Sequence, residues 1–233
     1  MQEITNQKDQ SSQPGQSGHS GPSDRPSQRN QQTESHSPAL PKRGLKLSDI
    51  LVTVLVSLVL GVVYHFWSSV YNLFSPLFPQ ADELVYGMWF IAPTLVFLLI
   101  RKPGVALLAE VAAAHVEILF GSEWGVQLVL YSVLQGLGAE LVFACFRYRK
   151  FSPSVAALAG VAAAAGSIIP DIYYGYVADY ETWLLIAKYA MRAVSSALIA
   201  GYLAYALAKA VEATGVTSLL RPVAAKDYAA LDD

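Results

Sequence analysis

Residues 83–151, ELVYGMWFIAPTLVFLLIRKPGVALLAEVAAAHVEILFGSEWGVQLVLYSVLQGLGAELVFACFRYRKF, decide the fold of this chain. Three apolar runs, residues 84–100, 105–120 and 124–146, are separated only by RKPG and GSE. An α-helix needs about 20 mainly apolar residues to cross the roughly 30 Å hydrocarbon core of a bilayer. We therefore predict three consecutive transmembrane helices, with Pro103 suited to the first turn after its short connection.

The rest of the chain extends this pattern on both sides. Further apolar segments cover residues 48–67, 153–169 and 183–208, which predicts an all-α polytopic membrane protein with a six-helix bundle. The whole chain is 54% hydrophobic and 15% charged, against roughly 25% charged in a soluble domain. This composition excludes an ordinary soluble domain and a nucleic-acid binder. The single cysteine, Cys145, excludes an intramolecular disulfide and is expected to be inert packing.

Composition divides the 233 residues into three parts. Residues 1–44 are rich in Gln, Ser, Gly and Pro, which predicts a disordered polar tail. Residues 45–210 form the predicted six-helix transmembrane domain, and residues 211–233 the predicted cytoplasmic C-terminal tail.

Basic residues predict the orientation of the bundle. Lys and Arg occur before span one, between spans two and three, between spans four and five, and after span six. The three opposite loops contain only acidic charges. Because Lys and Arg concentrate in cytoplasmic loops, both termini are predicted to lie in the cytoplasm.

Polar and aromatic side chains inside the spans are functional candidates, because an ionisable group at the bilayer centre costs about 2.5–3.5 kcal/mol. Helical spacing and estimated depth gather most of them in the outer half of the bundle, where they predict an outward-facing pocket. The predicted substrate-binding residues are Tyr86, Trp89, Glu110, Glu117, Gln127, Tyr131, Gln135, Tyr173 and Tyr174.

Other intramembrane charges have a simpler interpretation. Glu140 lies about 140° around its helix from Gln135 and is expected to make an interhelical hydrogen bond or ion pair. Lys188 and Arg192, four residues apart, are expected to neutralise Glu117 or Glu140, and contact with a ligand is the alternative.

Thr53, Ser57 and Gly61 recur every four residues in span one. Stripes of small residues allow helices to approach closely. From the spacing alone, the stripe is either internal packing or a surface for a partner.

The sequence has no phosphate-binding loop, no HExxH and no nucleophile elbow, so neither a catalytic site nor a metal site is predicted. Six spans are too few for a typical stand-alone transporter with two inverted repeats. An outer pocket in a small bundle therefore suggests a capture subunit whose energy comes from other chains.

The same stretch 83–151 resembles the YkoE family, the substrate-binding S components of energy-coupling factor (ECF) vitamin transporters. The pieces that carry the resemblance are YGMWF, RKPGVALLAE, LFGSEWG and LQGLGAELVF followed by RYR. The likeness extends more weakly over residues 47–208 and leaves out the N-terminal tail.

This resemblance implies six transmembrane helices and capture of thiamine or its precursor hydroxymethylpyrimidine from outside the cell. The implied partners are a transmembrane coupling subunit and cytoplasmic ATPase subunits that use ATP, while this chain binds no cofactor. It also implies that Thr53, Ser57 and Gly61 face the coupling subunit.

Two rival functions stay open at this point. The chain could be a structural or assembly membrane protein whose buried charges only pair with one another. It could also be an intramembrane enzyme using Glu110, Glu117 and His115, although the spacing places His115 away from the two acids.

Overall fold

The computed structural model describes residues 44–215 and residue 217, and all regular elements within them are helical. The six principal helices are α1 Leu47–Phe74, α2 Ile91–Ile100, α3 Val105–Leu119, α4 Gln127–Cys145, α5 Pro153–Tyr173 and α6 Thr182–Ala213. Two 3₁₀ turns, Ala81–Leu84 and Tyr86–Phe90, precede α2, and Ala197–Leu203 is a π-helical segment within α6. This confirms the all-α class. The predictions for residues 1–43 and 218–233 lie outside the described residues.

Four of these helices, α1, α4, α5 and α6, are long and apolar enough to cross a membrane. Residues Tyr86–Ile100 form a shorter apolar helical segment, and α3 has 15 residues. The chain is therefore a multi-pass membrane protein. The count of six crossings and the side on which the termini lie stay predictions.

Helix α2 forms the centre of the bundle. All ten of its residues are buried, and it contacts each of the other five helices. A helix with no lipid-facing side can be apolar all round and shorter than the bilayer core. The helices around α2, rather than α2 itself, therefore form the surface of the bundle.

Three helices are longer than the apolar runs predicted: α1, α5 and α6, which ends at Ala213 rather than at residue 208. Helix α1 continues beyond residue 67 to Phe74, because no proline interrupts the chain before Pro76. Helix α5 continues through Pro170 to Tyr173, so the expectation that it ends near residue 169 is wrong. The added turn of α5 carries Asp171, whose carboxylate is held by side chains of α4 and α6.

The small-residue stripe of α1 packs inside the bundle. Thr53 and Ser57 have no exposed surface, and a Cβ atom on Gly61 would lie 2.4 Å from the carbonyl oxygen of Ala113 in α3. The structure therefore corrects the expectation that these residues face a partner. They let α1 and α3 approach closely, and the exposed face of α1 consists of leucine and valine side chains such as Leu55 and Val59.

Glu140 holds the start of α3 against α4. Its Oε1 accepts a 2.6 Å hydrogen bond from the backbone N–H of Gly104, and its Oε2 accepts hydrogen bonds from Ala106 and Leu107 at 2.9 and 3.3 Å. These N–H groups have no partner within the helix, and a carboxylate is favourable at its positive end. Glu140 therefore makes an interhelical contact, as expected, but its partners are backbone groups rather than Lys188 or Arg192.

Candidate functional site

The candidate site is a cavity of about 420 Å³. Side chains of α1, the second 3₁₀ turn, α3, α4, α5, the loop after α5 and α6 all reach it. Its volume falls within the roughly 300–1,000 Å³ typical of small-molecule sites. Six of the nine predicted substrate-binding residues line it: Tyr86, Trp89, Glu110, Glu117, Tyr131 and Gln135.

The other three predicted residues do not line the cavity. Tyr173 is 74% exposed and Tyr174 stacks on Tyr131 from outside, with ring centroids 6.2 Å apart. Gln127 accepts a 2.8 Å hydrogen bond through its Oε1 from the hydroxyl of Tyr176, which does line the cavity. Gln127 and Tyr174 thus support wall residues, whereas Tyr173 points away because α5 continues one turn beyond Pro170.

The 3₁₀ turn Tyr86–Phe90 builds an aromatic wall. With 3.0 residues per turn, side chains at i and i+3 project in the same direction, so Tyr86 and Trp89 point together into the cavity. Their ring centroids are 5.3 Å apart, and Tyr71 of α1 lies 5.3 Å edge-on from Trp89. Between them, Gly87 lies so close to Ser195 that a Cβ atom would be 2.5 Å from the Ser195 carbonyl oxygen.

Glu117 has unused hydrogen-bonding capacity inside the bundle. Its Oε1 accepts hydrogen bonds from Trp89 Nε1 at 3.3 Å and from the Ser122 hydroxyl at 3.4 Å. Its Oε2 is buried and has no hydrogen-bond partner among the residues that the structure describes. A buried polar atom without a partner costs about 1–3 kcal/mol. A ligand that donates a hydrogen bond to Oε2 would remove that cost.

A second carboxylate lies on the same face of α3. Glu110, 2% exposed, accepts a 3.1 Å hydrogen bond at Oε2 from the Tyr64 hydroxyl. That hydroxyl accepts in turn from the backbone N–H of Ala92, which fixes its direction. Neither Glu110 nor Glu117 forms an ion pair with any residue that the structure describes. This side of the cavity therefore favours a ligand that is cationic or rich in hydrogen-bond donors.

The other side of the cavity holds a cluster of two basic and two acidic side chains whose charges balance. Arg192 donates from Nε and Nη2 to the two oxygens of Glu83 at 2.6 and 2.7 Å, and from Nη1 to Asp171 at 2.8 Å. Lys188 lies farther away, 3.9 Å from Glu83 and 4.0 Å from Asp171. Burial raises the pKa of the Glu83 carboxyl, and the hydrogen bonds from Arg192 oppose that rise.

The expected partners of these two cations were therefore wrong. Lys188 and Arg192 neutralise acids that the sequence places in loops, not Glu117 or Glu140. The reason is geometric: the 3₁₀ turn before α2 and the extra turn of α5 carry Glu83 and Asp171 inward.

Sequence reasoning also missed several lining residues: Tyr64, Tyr71, Trp124, Tyr176, Asp179, Tyr180, Lys188 and Arg192. The sequence did contain a periodic signal for Tyr64 and Tyr71. Together with Ser57 they are spaced by seven residues, so all three share one face of α1. The loop residues carried no such periodic signal. His115, by contrast, is exposed and hydrogen-bonds only within its own helix, to the carbonyl of Val111.

Among the described residues, no group of three or more His, Cys, Asp or Glu side chains is placed to hold a metal ion. The site instead combines an aromatic wall, two carboxylates without counter-ions and a neutral ion cluster. Within a multi-pass helical membrane protein, these features define a membrane-embedded binding component for a small organic molecule.

Comparisons with known proteins also indicate a membrane component of a transport system. Residues 48–166 match the family described as "ABC-type cobalt transport system, permease component". The chain is 37% identical over 172 residues to a Bacillus subtilis (strain 168) protein described as "Putative HMP/thiamine permease protein YkoE". That match covers 73% of this chain and 86% of the relative.

A solved structure agrees with the sequence relatives. The fold matches a protein titled "Crystal structure of an S-component of ECF transporter" with a TM-score of 0.71 and 36% identity. The match covers 75% of this chain and 89% of that chain. This chain belongs to the YkoE family of ECF-transporter S components. It is a transport protein rather than an enzyme, and the match implies a complex with ECF subunits.

Proposed function

We propose that this chain captures hydroxymethylpyrimidine or thiamine in the cavity and delivers it to an ECF-type importer. The observation that carries the proposal is Glu117 Oε2, a buried acceptor without a partner in the described part of the chain. Glu117 lines the cavity beside the aromatic wall. The relative from Bacillus subtilis, described as an HMP/thiamine permease, supports the same substrate class.

Hydroxymethylpyrimidine and thiamine share an aminopyrimidine ring, whose chemistry fits the carboxylate and aromatic groups of the cavity. Its exocyclic amine is a hydrogen-bond donor for the carboxylate of Glu117, and its flat ring can pack on Trp89 or Tyr86. Gln135 is 4% exposed and lines the cavity, and its side-chain amide makes no hydrogen bond to a described residue, so it can pair with ring nitrogens. Thiamine adds a thiazolium cation, which aromatic faces hold at about 0.5–2 kcal/mol each.

The charge distribution favours a neutral or cationic ligand. Glu83 and Asp171 are balanced by Lys188 and Arg192, whereas Glu110 and Glu117 have no described counter-ion. An anionic ligand would add a third uncompensated negative charge within a low-dielectric bundle, which is costly.

Isothermal titration of the purified chain with hydroxymethylpyrimidine, thiamine and riboflavin tests the proposal. Saturable binding of either pyrimidine compound, with no heat from riboflavin, is expected. Binding of none of the three would favour the rival structural or assembly function.

Two substitutions test the placement of the site. Glu117→Gln removes a charged hydrogen-bond acceptor and should weaken binding by about 10–150-fold, from about 1.5–3 kcal/mol per charge-assisted bond. Trp89→Ala should weaken it as well, and Trp183→Ala is its matched control because Trp183 is 62% exposed. Glu181→Gln, at an exposed loop glutamate, is the control for Glu117. Equal affinities for variants and controls would place the ligand elsewhere.

For topology, we propose six crossings with both termini in the cytoplasm and the cavity open to the exterior. The distribution of Lys and Arg over the connections supports this orientation. Reporter fusions after residue 150 and after residue 179 test it: a cytoplasmic reporter should be active at the first site, and a periplasmic or extracellular reporter at the second.

The same proposal places ATP use in other chains. A transmembrane coupling subunit and cytoplasmic ATPase subunits would supply the energy, and this chain would bind no nucleotide. Co-purification of the tagged chain with such subunits, and substrate-stimulated ATPase activity only in their presence, are the expected results.

A further inference from the structure

A second groove, with an almost completely apolar lining, lies between α4 and α5, apart from the cavity of the candidate site. Its volume is about 630 Å³. Leu141 of α4 and Leu158 and Ile169 of α5 form its exposed walls, at 62%, 49% and 57% exposure. Gly138 lies on its floor, where a Cβ atom would come within 2.3 Å of the carbonyl oxygen of Ala162. This close helix contact makes a furrow rather than a ridge on the bundle surface.

The groove leads to a basic connection. From Leu134 to Phe146 it follows α4 for about 18 Å at 1.5 Å per residue, close to the roughly 15 Å thickness of one hydrocarbon leaflet. The chain beyond Phe146 carries Arg147, Arg149 and Lys150, all of them exposed. None of the three forms an ion pair with a described residue.

The start of α5 adds to the positive potential at this end. The 21-residue helix begins at Pro153, three residues after Lys150, and the positive end of its dipole faces the connection. The Lys150 ammonium lies 5.3 Å from the ring centroid of Phe146, so the basic connection adjoins the groove lining. An apolar furrow of one leaflet's length that ends in three unpaired cations matches a molecule with an acyl chain and an anionic headgroup.

We propose that this groove is a binding site for an anionic phospholipid. One acyl chain lies along the α4–α5 furrow, and the phosphate headgroup contacts Arg147, Arg149 and Lys150. Basic clusters at the ends of transmembrane helices attract anionic lipids through the same electrostatics. The proposal is independent of the substrate that the cavity binds.

Native mass spectrometry of the full-length protein tests it by titration with phosphatidylglycerol and with phosphatidylcholine of the same acyl chains. Phosphatidylglycerol should bind more tightly, and Arg147→Gln/Arg149→Gln/Lys150→Gln should weaken that binding by about 100-fold, since each of the three basic residues contributes about fivefold. A control variant, Lys46→Gln/Lys209→Gln, removes two exposed basic residues that do not line the groove and should retain the preference.

Cys145 provides a readout of occupancy at the groove itself. It is exposed, lines the groove and is the chain's single cysteine, so modification by N-ethylmaleimide reports on this position alone. Phosphatidylglycerol should slow this modification more than phosphatidylcholine does. Ala165→Phe, at an exposed groove position on α5, should fill the furrow and reduce binding of the lipid.

Three results would overturn the proposal. The first is equal binding of the two lipids, and the second is unchanged phosphatidylglycerol affinity in the triple Gln variant. The third is protection of Cys145 only when another ECF subunit is present, which would make the groove a protein interface. Substrate affinity measured on the same variants should stay unchanged.

Discussion

Replacing Arg192 by methionine removes the central cation of the buried ion cluster while keeping a long apolar side chain. Arg192 is 2% exposed and donates four hydrogen bonds, two to Glu83, one to Asp171 and one to Ser167. After the substitution, two buried carboxylates keep only the more distant Lys188, at 3.9 and 4.0 Å, as a counter-ion.

The expected loss of stability follows from that geometry. Removing one partner of a buried ion pair costs about 3–5 kcal/mol, because the remaining charge is left in a low-dielectric surrounding. For a chain of this size, 1 kcal/mol corresponds to about 2–4 °C in Tm. Arg192→Met should therefore lower Tm by about 6–20 °C.

Thermal unfolding of the full-length protein in detergent, followed by tryptophan fluorescence, measures this shift. Lys188→Met is the matched control and should lower Tm less, because its ammonium lies 3.9 and 4.0 Å from the two carboxylates and makes no short ion pair with a described residue. Adding Glu83→Gln to Arg192→Met should recover part of the loss, since one uncompensated charge disappears.

Equal Tm values for the Arg192 and Lys188 variants would refute this reasoning. So would a double variant with Glu83→Gln that is less stable than Arg192→Met alone. Either result would mean that the short hydrogen bonds of Arg192 do not hold the 3₁₀ turn, α5 and α6 together.

Three further predictions concern helix packing and the boundary of the cavity. Glu140→Ala should destabilise the protein by about 1–3 kcal/mol, because backbone N–H groups at the start of α3 lose their acceptor. Thermal unfolding measures this loss of stability. Glu140→Gln should lose less, because its amide oxygen can still accept one of these hydrogen bonds. Gly61→Val should lower Tm more than a substitution that adds a methyl group at an exposed position of α1. The reason is that the new Cβ would overlap the Ala113 carbonyl, and overpacking of this kind costs about 1–3 kcal/mol. Tyr173→Ala should leave pyrimidine affinity in the titration assay unchanged, whereas Trp89→Phe should reduce it, because only the tryptophan lines the cavity. A large effect of Tyr173→Ala would contradict the position of the cavity wall.

Much of the candidate site could be predicted because helical periodicity is a local property. Glu110 and Glu117, seven residues apart, had to share a face of any helix, and Tyr131 and Gln135 likewise, so all four line the cavity. Trp89 could be predicted because helical spacing and depth placed it with the other polar and aromatic candidates in the outer half of the bundle. The residues that were misplaced, Gln127, Tyr173 and Tyr174, lie at helix ends, where a shift of one turn redirects the side chain.

The small-residue stripe shows a different limit. Spacing shows that Thr53, Ser57 and Gly61 permit close approach, but it does not say which helix approaches. Only the tertiary structure shows that α3 occupies that face, which removes these side chains from any partner surface.

The sequence by itself determined the all-helical class, the membrane location and the side of α3 that carries the two carboxylates. These follow from the length, apolar composition and period of each segment, which are read along the chain. Only the tertiary structure decided the ion partners of Arg192 and the aromatic wall of Tyr86 and Trp89. Those depend on loop residues such as Glu83, whose 3₁₀ turn folds inward because packing and burial between distant segments outweigh local preference.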